Sequence, residues 1–278
     1  MLIDKQIKYE FNYYFLGDIT KSTILFLHGF MGNCEEFDDV ISLLLASNSF
    51  SFLTIDLPGH GKTKVLGNDD CYTMELTAQG IICLLDELKI WKCFLVGYSM
   101  GGRLALYLTI HFPQRFSKVI LESASPGLLT AVERLARIKS DNQIARKLNR
   151  LDITVNREGF AAFLATWYNQ PIFGNIKYHP HYHHLIANRM QNNPSELAKS
   201  LYFMGTGNQP SLWEKIQTNT QPLLLLVGKY DYKFVDINTR MLNACKYCNL
   251  NIISGAGHNI HFEQPDIFAE RVVNFLSH

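Results

Sequence analysis

The sequence predicts an α/β protein: a mostly parallel sheet with helices on both faces and an inserted helical lid. Short apolar runs recur at residues 24–27, 52–55, 94–96, 119–121, 223–227 and 252–253, each of a length that suits a buried strand. Segments of helical period lie between several of them, as in residues 76–88, where apolar positions 81, 82, 84, 85 and 88 share a face. Strands alternating with helices imply parallel pairing with cover on both sides. The third sign is Gly97-Tyr98-Ser99-Met100-Gly101, which follows the apolar Phe94-Leu95-Val96 and opens a helical stretch. A strand that enters a helix through G-x-S-x-G turns sharply and lifts the serine hydroxyl into a cleft.

Taken in chain order, residues 7–16 alternate loosely and predict an opening hairpin. The run at 24–27 ends in His28-Gly29-Phe30-Met31-Gly32. After a strand that ends this way, the Phe30 N–H can point into the cleft and, with the Met100 N–H, form an oxyanion hole. A plain strand-to-loop turn accounts for the same residues. Asp56-Leu57-Pro58-Gly59-His60-Gly61 is a second glycine-rich turn after a strand, in which Asp56 and His60 serve the turn itself. Between residues 126 and 220 the alternation stops, leaving helical periodicity, many aromatics and no convincing strand. The expected organisation is a core from residues 1–125 and 221–278, with residues 126–220 inserted after the sixth strand as a lid.

Two further loops complete a catalytic pattern. Asp231 comes just past the run Leu223-Leu224-Leu225-Leu226-Val227, and Gly255-Ala256-Gly257-His258 follows the last run. Serine, aspartate and histidine in that order, each after a strand's C-terminal end, fit an α/β-hydrolase triad. Ser99 carries the reactive hydroxyl, His258 is the general base and Asp231 holds the other ring nitrogen. Glu122, just after the run at 119–121, is the rival acid; His60, His111 and His261 lie away from the expected base position.

At 278 residues and 47% hydrophobic, the chain can fill one large core or a core plus a subdomain. With 26 basic against 25 acidic residues, no overall field draws it to nucleic acid or an anionic membrane. Met1 to Lys8 lack the apolar region of a secretory signal, and no stretch approaches the ~18 apolar residues of a membrane helix, so a cytoplasmic protein is expected. The cysteines are scattered. Cys83 and Cys93 sit among apolar residues, as buried reduced thiols would, and Cys245-Lys246-Tyr247-Cys248 has no second ligand pair near it. His179-Pro180-His181-Tyr182-His183-His184 lacks carboxylates at ligand spacing and is read as an exposed lid turn. Neither a metal nor a cofactor is expected.

The arginines set this chain apart from a simple ester hydrolase. Arg103 lies one helical turn beyond Ser99 and faces the cleft or the core beside it. A guanidinium there is costly to bury unless an anion meets it. Arg134, Arg137, Arg146, Arg150, Arg157 and Arg189 lie in the lid segment, and any that face Ser99 could take carboxylates in bidentate fashion.

On these residues the sequence resembles the 2-succinyl-6-hydroxy-2,4-cyclohexadiene-1-carboxylate synthase family of α/β-hydrolase-fold lyases, from about residue 22 to the C-terminus. The matching stretches include Gly97-Tyr98-Ser99-Met100-Gly101-Gly102-Arg103, Ser125-Pro126-Gly127-Leu128, Trp167-Tyr168-Asn169-Gln170-Pro171-Ile172-Phe173 and Gly255-Ala256-Gly257-His258-Asn259. The resemblance implies elimination of pyruvate from a tricarboxylate, 2-succinyl-5-enolpyruvyl-6-hydroxy-3-cyclohexene-1-carboxylate, in menaquinone or phylloquinone biosynthesis. It implies that Arg103, Arg137 and Arg189 bind substrate, with Tyr98 and Trp167 lining the pocket. Ser99, activated by His258, would then remove a proton rather than attack a carbonyl, and no acyl-enzyme is expected. A serine esterase or a carbon–carbon bond hydrolase would use the same elbow and triad but would not require several inward arginines. A small-molecule receptor on the same fold could also keep a triad.

Overall fold

Hydrophobic patterning explains the layering seen in the computed structural model, which describes residues 8–151 and 157–277. The first part of the chain runs β1 (Tyr9–Glu10), β2 (Tyr13–Leu16), β3 (Ser22–Leu27), α1 (Asp38–Leu45), β4 (Phe50–Ile55), β5 (Lys64–Val65), α2 (Met74–Glu87), β6 (Cys93–Tyr98), α3 (Met100–His111) and β7 (Phe116–Glu122). Helices α4 (Ala131–Leu148), α5 (Arg157–Tyr168), α6 (Tyr182–Arg189), α7 (Pro194–Met204) and α8 (Trp213–Ile216) follow. The chain then returns through β8 (Leu223–Gly228), α9 (Tyr232–Ala244), β9 (Cys248–Ile253), α10 (Ile260–Glu263) and α11 (Pro265–Ser277). The main sheet has the order β2-β4-β3-β6-β7-β8-β9, with β2 antiparallel to β4 and the other neighbours parallel.

Successive strand residues point to opposite faces, so each central strand feeds two cores. Leu25, Leu27, Leu53, Ile55 and Leu95 pack with α2 and α3, whereas Ile24, Phe26, Phe52 and Val96 pack with α1 and α11. This two-sided burial is why the strands read as unbroken apolar runs rather than as alternating ones. The parallel order brings the C-terminal ends of β3, β6, β8 and β9 to one edge, where His28, Ser99, Asp231 and His258 follow them.

The expected opening hairpin does not form. Tyr9 and Glu10 pair with Val65 and Lys64, while Tyr13 to Leu16 pair with β4; residue 7 lies outside the described residues. Alternation marks an extended segment but not its partner, and here the partners lie 36 to 56 residues away. Because the short β5 carries little apolar signal, the helical segment follows the seventh strand of the chain rather than the sixth. Cys83 is exposed, unlike Cys93, because it falls on the outer face of α2 while Ile81, Leu84 and Leu85 are buried.

Helices α4 to α7 build an apolar cluster of their own from Ala145, Leu148, Phe160, Leu164, Leu197 and Leu201, with Met31 of the β3 loop packed into it. A capping box, Thr130 with Glu133, starts α4. Polar contacts fix this segment to the rest: Asn192 accepts from the Gly61 N–H and donates to the Met31 carbonyl, and Tyr72 bonds Glu196. Among the described residues, no helix is long and apolar enough to cross a membrane.

Candidate active site

Ser99 occupies the turn between β6 and α3 with φ 50° and ψ −104°, a left-handed conformation disfavoured for a residue with a Cβ. The glycines around it allow the close packing. A Cβ on Gly101 would lie 2.2 Å from the Leu27 carbonyl oxygen, and one on Gly97 would lie 2.5 Å from the Gly101 carbonyl oxygen. The turn is held by the Ser99 N–H donating to the Glu122 carbonyl and by the Arg103 N–H donating to the Ser99 carbonyl.

Three loops converge on this serine. His258 Nε2 is 2.8 Å from Ser99 Oγ, and His258 Nδ1 is 2.5 Å from Asp231 Oδ2. With a carboxylate on Nδ1, the proton belongs there, and Nε2 is left to accept from the serine hydroxyl. Asp231 and His258 are both buried, and Phe173, Phe234 and Tyr98 surround the imidazole at centroid distances of 5.6, 4.7 and 5.5 Å. The His258 N–H also donates to the Ile172 carbonyl, so the helical segment helps position the base.

Glu122 has other duties. Its carboxylate accepts from the Ile260 and His261 N–H groups and sits 2.6 Å from His261 Nδ1. His261 Nε2 is in turn 3.1 Å from Glu36 Oε1, which meets Arg189 Nη2 at 2.6 Å. Burial opposes the His261 charge, but the Glu122 and Glu36 carboxylates outweigh it and raise its pKa to about 9. Burial likewise opposes ionisation of Glu36, yet Arg189 and His261 hold its carboxyl well below the usual range.

Phe30 and Met100 both line the cavity beside Ser99, and neither backbone N–H has an acceptor among the described residues. Met100 begins α3, where such donors are left free by helix geometry. The loop before Phe30 is clamped by His28, whose Nε2 accepts from the Leu57 N–H at 2.9 Å. Asp56 takes the Cys34 and Lys62 N–H groups and the Asn12 amide, so it serves the turn, as the sequence suggested.

The cavity has a volume of about 200 Å³ and is lined by Tyr98, Ser99, Arg103, Arg137, Trp167 and His258, among others. Arg103 is 9% exposed and donates to the Met204 carbonyl at 3.0 Å and to Gln209 Oε1 at 3.1 Å. Burial, reinforced by the neighbouring charge of Arg137, pushes the Arg103 guanidinium down to about 10. Arg137 meets Asp141 Oδ1 at 2.7 Å. Trp167 lies over Phe30 at a centroid distance of 5.4 Å.

Arg189 departs from the expectation. It is 2% exposed and does not line the cavity; Glu36, Tyr168 and Asn188 occupy its guanidinium. Helix α6 turns it toward Glu36, a carboxylate distant in sequence that no local spacing could reveal. Arg146, Arg150 and Arg157 are exposed, and Arg134 donates to the Gly207 carbonyl. His181, His183 and His184 are exposed as well, and no group of three potential ligands gathers among the described residues.

Lys233 and Ser123 line the same cavity and were missed from sequence. Lys233 stands two residues after Asp231, and that spacing was the available signal. Ser123 follows β7 at φ 48°, fully buried, with a hydroxyl that has no partner among the described residues.

Comparisons with known proteins bear on the family and the fold. A family model described as alpha/beta hydrolase fold matches residues 22–265. The chain is similar to 2-succinyl-6-hydroxy-2,4-cyclohexadiene-1-carboxylate synthase of Serratia proteamaculans (strain 568), 33% identical over 261 residues that cover 94% of this chain and 95% of that protein. It is 32% identical to the Arabidopsis thaliana protein PHYLLO, chloroplastic, over 88% of this chain and 15% of that longer protein. The structure of MenH from S. aureus aligns with a TM-score of 0.85 at 32% identity, covering 97% of this chain and 98% of that one.

Proposed function

We propose, because the chain belongs to the 2-succinyl-6-hydroxy-2,4-cyclohexadiene-1-carboxylate synthase family of α/β-hydrolase-fold proteins, that it is a pyruvate-eliminating lyase. Its substrate is 2-succinyl-5-enolpyruvyl-6-hydroxy-3-cyclohexene-1-carboxylate, and its place is in menaquinone or phylloquinone biosynthesis. The observation that carries this reading is the hydrogen-bonded series Ser99–His258–Asp231 opening into a cavity that also holds Arg103 and Arg137. A base beside fixed cations suits proton removal from a polyanion.

In this reading His258 accepts the Ser99 proton as Ser99 Oγ takes the ring hydrogen next to the succinyl ketone. The enolate oxygen settles against the Phe30 and Met100 N–H groups, and one such donor contributes about 2.7–4 kcal/mol of transition-state stabilisation. Electron flow through the ring double bond breaks the carbon–oxygen bond and releases enolpyruvate, which tautomerises to pyruvate. General-base action supplies about 10²- to 10⁴-fold. Arg103 and Arg137 hold substrate carboxylates, with Tyr98 and Trp167 against the ring. No cofactor enters the scheme.

The test supplies the enolpyruvyl substrate and follows pyruvate release together with diene absorbance. Wild type turns over, while Ser99→Ala and Arg103→Ala lose activity. A serine-bound fragment trapped during turnover would replace the lyase with a hydrolase of the same fold.

A further inference from the structure

Arg189, the third cation expected at the substrate, is committed to Glu36, yet the cavity still presents three cationic side chains: Arg103 at depth, Arg137, and Lys233 at the exposed rim. Arg103 and Arg137 are each engaged with protein acceptors. The Lys233 ammonium makes no hydrogen bond or ion pair among the described residues; it lies over the face of Phe234 at 5.7 Å and feels the charges of Arg137, Asp231 and Asp141.

We propose that Lys233 is the third carboxylate-holding residue of this site, taking the role that the family resemblance implied for Arg189. The assignment rests on the lyase reading for the identity of the substrate but not for the chemistry of the contact. Lys233 lies on the first turn of α9, two residues after Asp231, so the same turn that orients His258 fixes the base of this lysine. Asp141 is already paired with Arg137, which leaves the cationic wall in excess of its own counter-charge. Partial desolvation and the nearby Arg137 lower the affinity of Lys233 for its proton, against the opposing pull of Asp231 and Asp141. A lysine suits the rim because it is a point charge on a flexible stem and can follow an entering carboxylate, whereas the buried Arg103 cannot.

The experiment compares wild type, Lys233→Gln and Lys233→Arg in two assays. In turnover, Lys233→Gln lowers kcat/KM by about 10- to 100-fold, mainly through KM, as loss of one charge-assisted hydrogen bond predicts. Lys233→Arg restores most of it, the melting temperature is unchanged, and the salt dependence of kcat/KM is shallower in Lys233→Gln. In calorimetry with the inert tricarboxylate trimesate, wild type binds and Lys233→Gln binds at least several-fold more weakly. Binding of trimesate that depends on Lys233, in a wild type without turnover, supports this assignment and removes the lyase reading. Wild-type turnover with Lys233→Gln matching it in both KM and trimesate affinity overturns the assignment and leaves the lyase intact. Failure of wild type to bind trimesate also overturns it.

Discussion

Glu122 and His261 form a buried pair, with 2.6 Å between Glu122 Oε2 and His261 Nδ1, and neither side chain is more than 1% exposed. The two residues that sequence left as rival acid and misplaced histidine therefore satisfy each other, while Asp231 holds His258 and caps α9. Asp231→Asn is expected to lower kcat by about 10⁴-fold, because an amide cannot hold the imidazole in the required tautomer. Glu122→Gln keeps kcat within about tenfold but lowers the unfolding midpoint, since it breaks a buried charge pair. Pyruvate release and denaturant melts on both variants decide the matter; near-normal turnover by Asp231→Asn would reverse the assignment.

His261 predicts a pH dependence of stability. Its pKa is about 9 in the fold and ~6.5 in the unfolded chain, so its contribution is full below pH ~6.5 and is lost as pH rises through about 9. At ~1.36 kcal/mol per tenfold change in proton affinity, the contribution is roughly 3 kcal/mol. Glu36 acts with the opposite sign: its contribution is present above the normal carboxylate pKa and fades in acid. Thermal melts of wild type and His261→Asn between pH 6 and 10 should converge as the alkaline limit is approached. Parallel curves across that range would refute the assignment.

Arg103→Lys keeps a charge but loses the planar fork that reaches both Met204 and Gln209. Turnover should show kcat/KM reduced by about 10- to 100-fold, with circular dichroism unchanged. Equal kinetics for the two proteins would mean that Arg103 is only a packing element.

Gly101→Ala places a methyl against the Leu27 and His28 carbonyl oxygens, at 2.2 and 2.5 Å, in backbone that cannot yield as a side-chain tip can. The expected destabilisation is about 1–3 kcal/mol or more, with activity lost in the folded fraction because β3 and α3 must separate. An unchanged urea midpoint would show that the elbow is looser than its spacing implies.

The sheet was legible in the sequence because β3, β4, β6, β7 and β8 are buried on both faces and carry continuous apolar runs. The Ser99, Asp231 and His258 placements were legible because each follows a strand end, where the fold leaves little freedom. Pairing of β1 and β5 was not, since two-residue strands have no periodicity to detect. Arg189, which the resemblance implied as a substrate ligand, pairs instead with Glu36, 153 residues away, and nothing local to α6 reports that partner. Lys233 escaped notice because its one signal, a place two residues after Asp231, is shared by any residue that opens α9.

The Arg189–Glu36 bridge, with both side chains 2% exposed, rivets α6 to the loop that leads into α1. Swinging this helix outward as a flap would strand two opposite ions in an apolar setting, a penalty of about 3–5 kcal/mol. Helix α6 is therefore a fastened wall, and the side chains of the cavity that stand free of such ties are the exposed ones at its margin, Lys233 and Gln170.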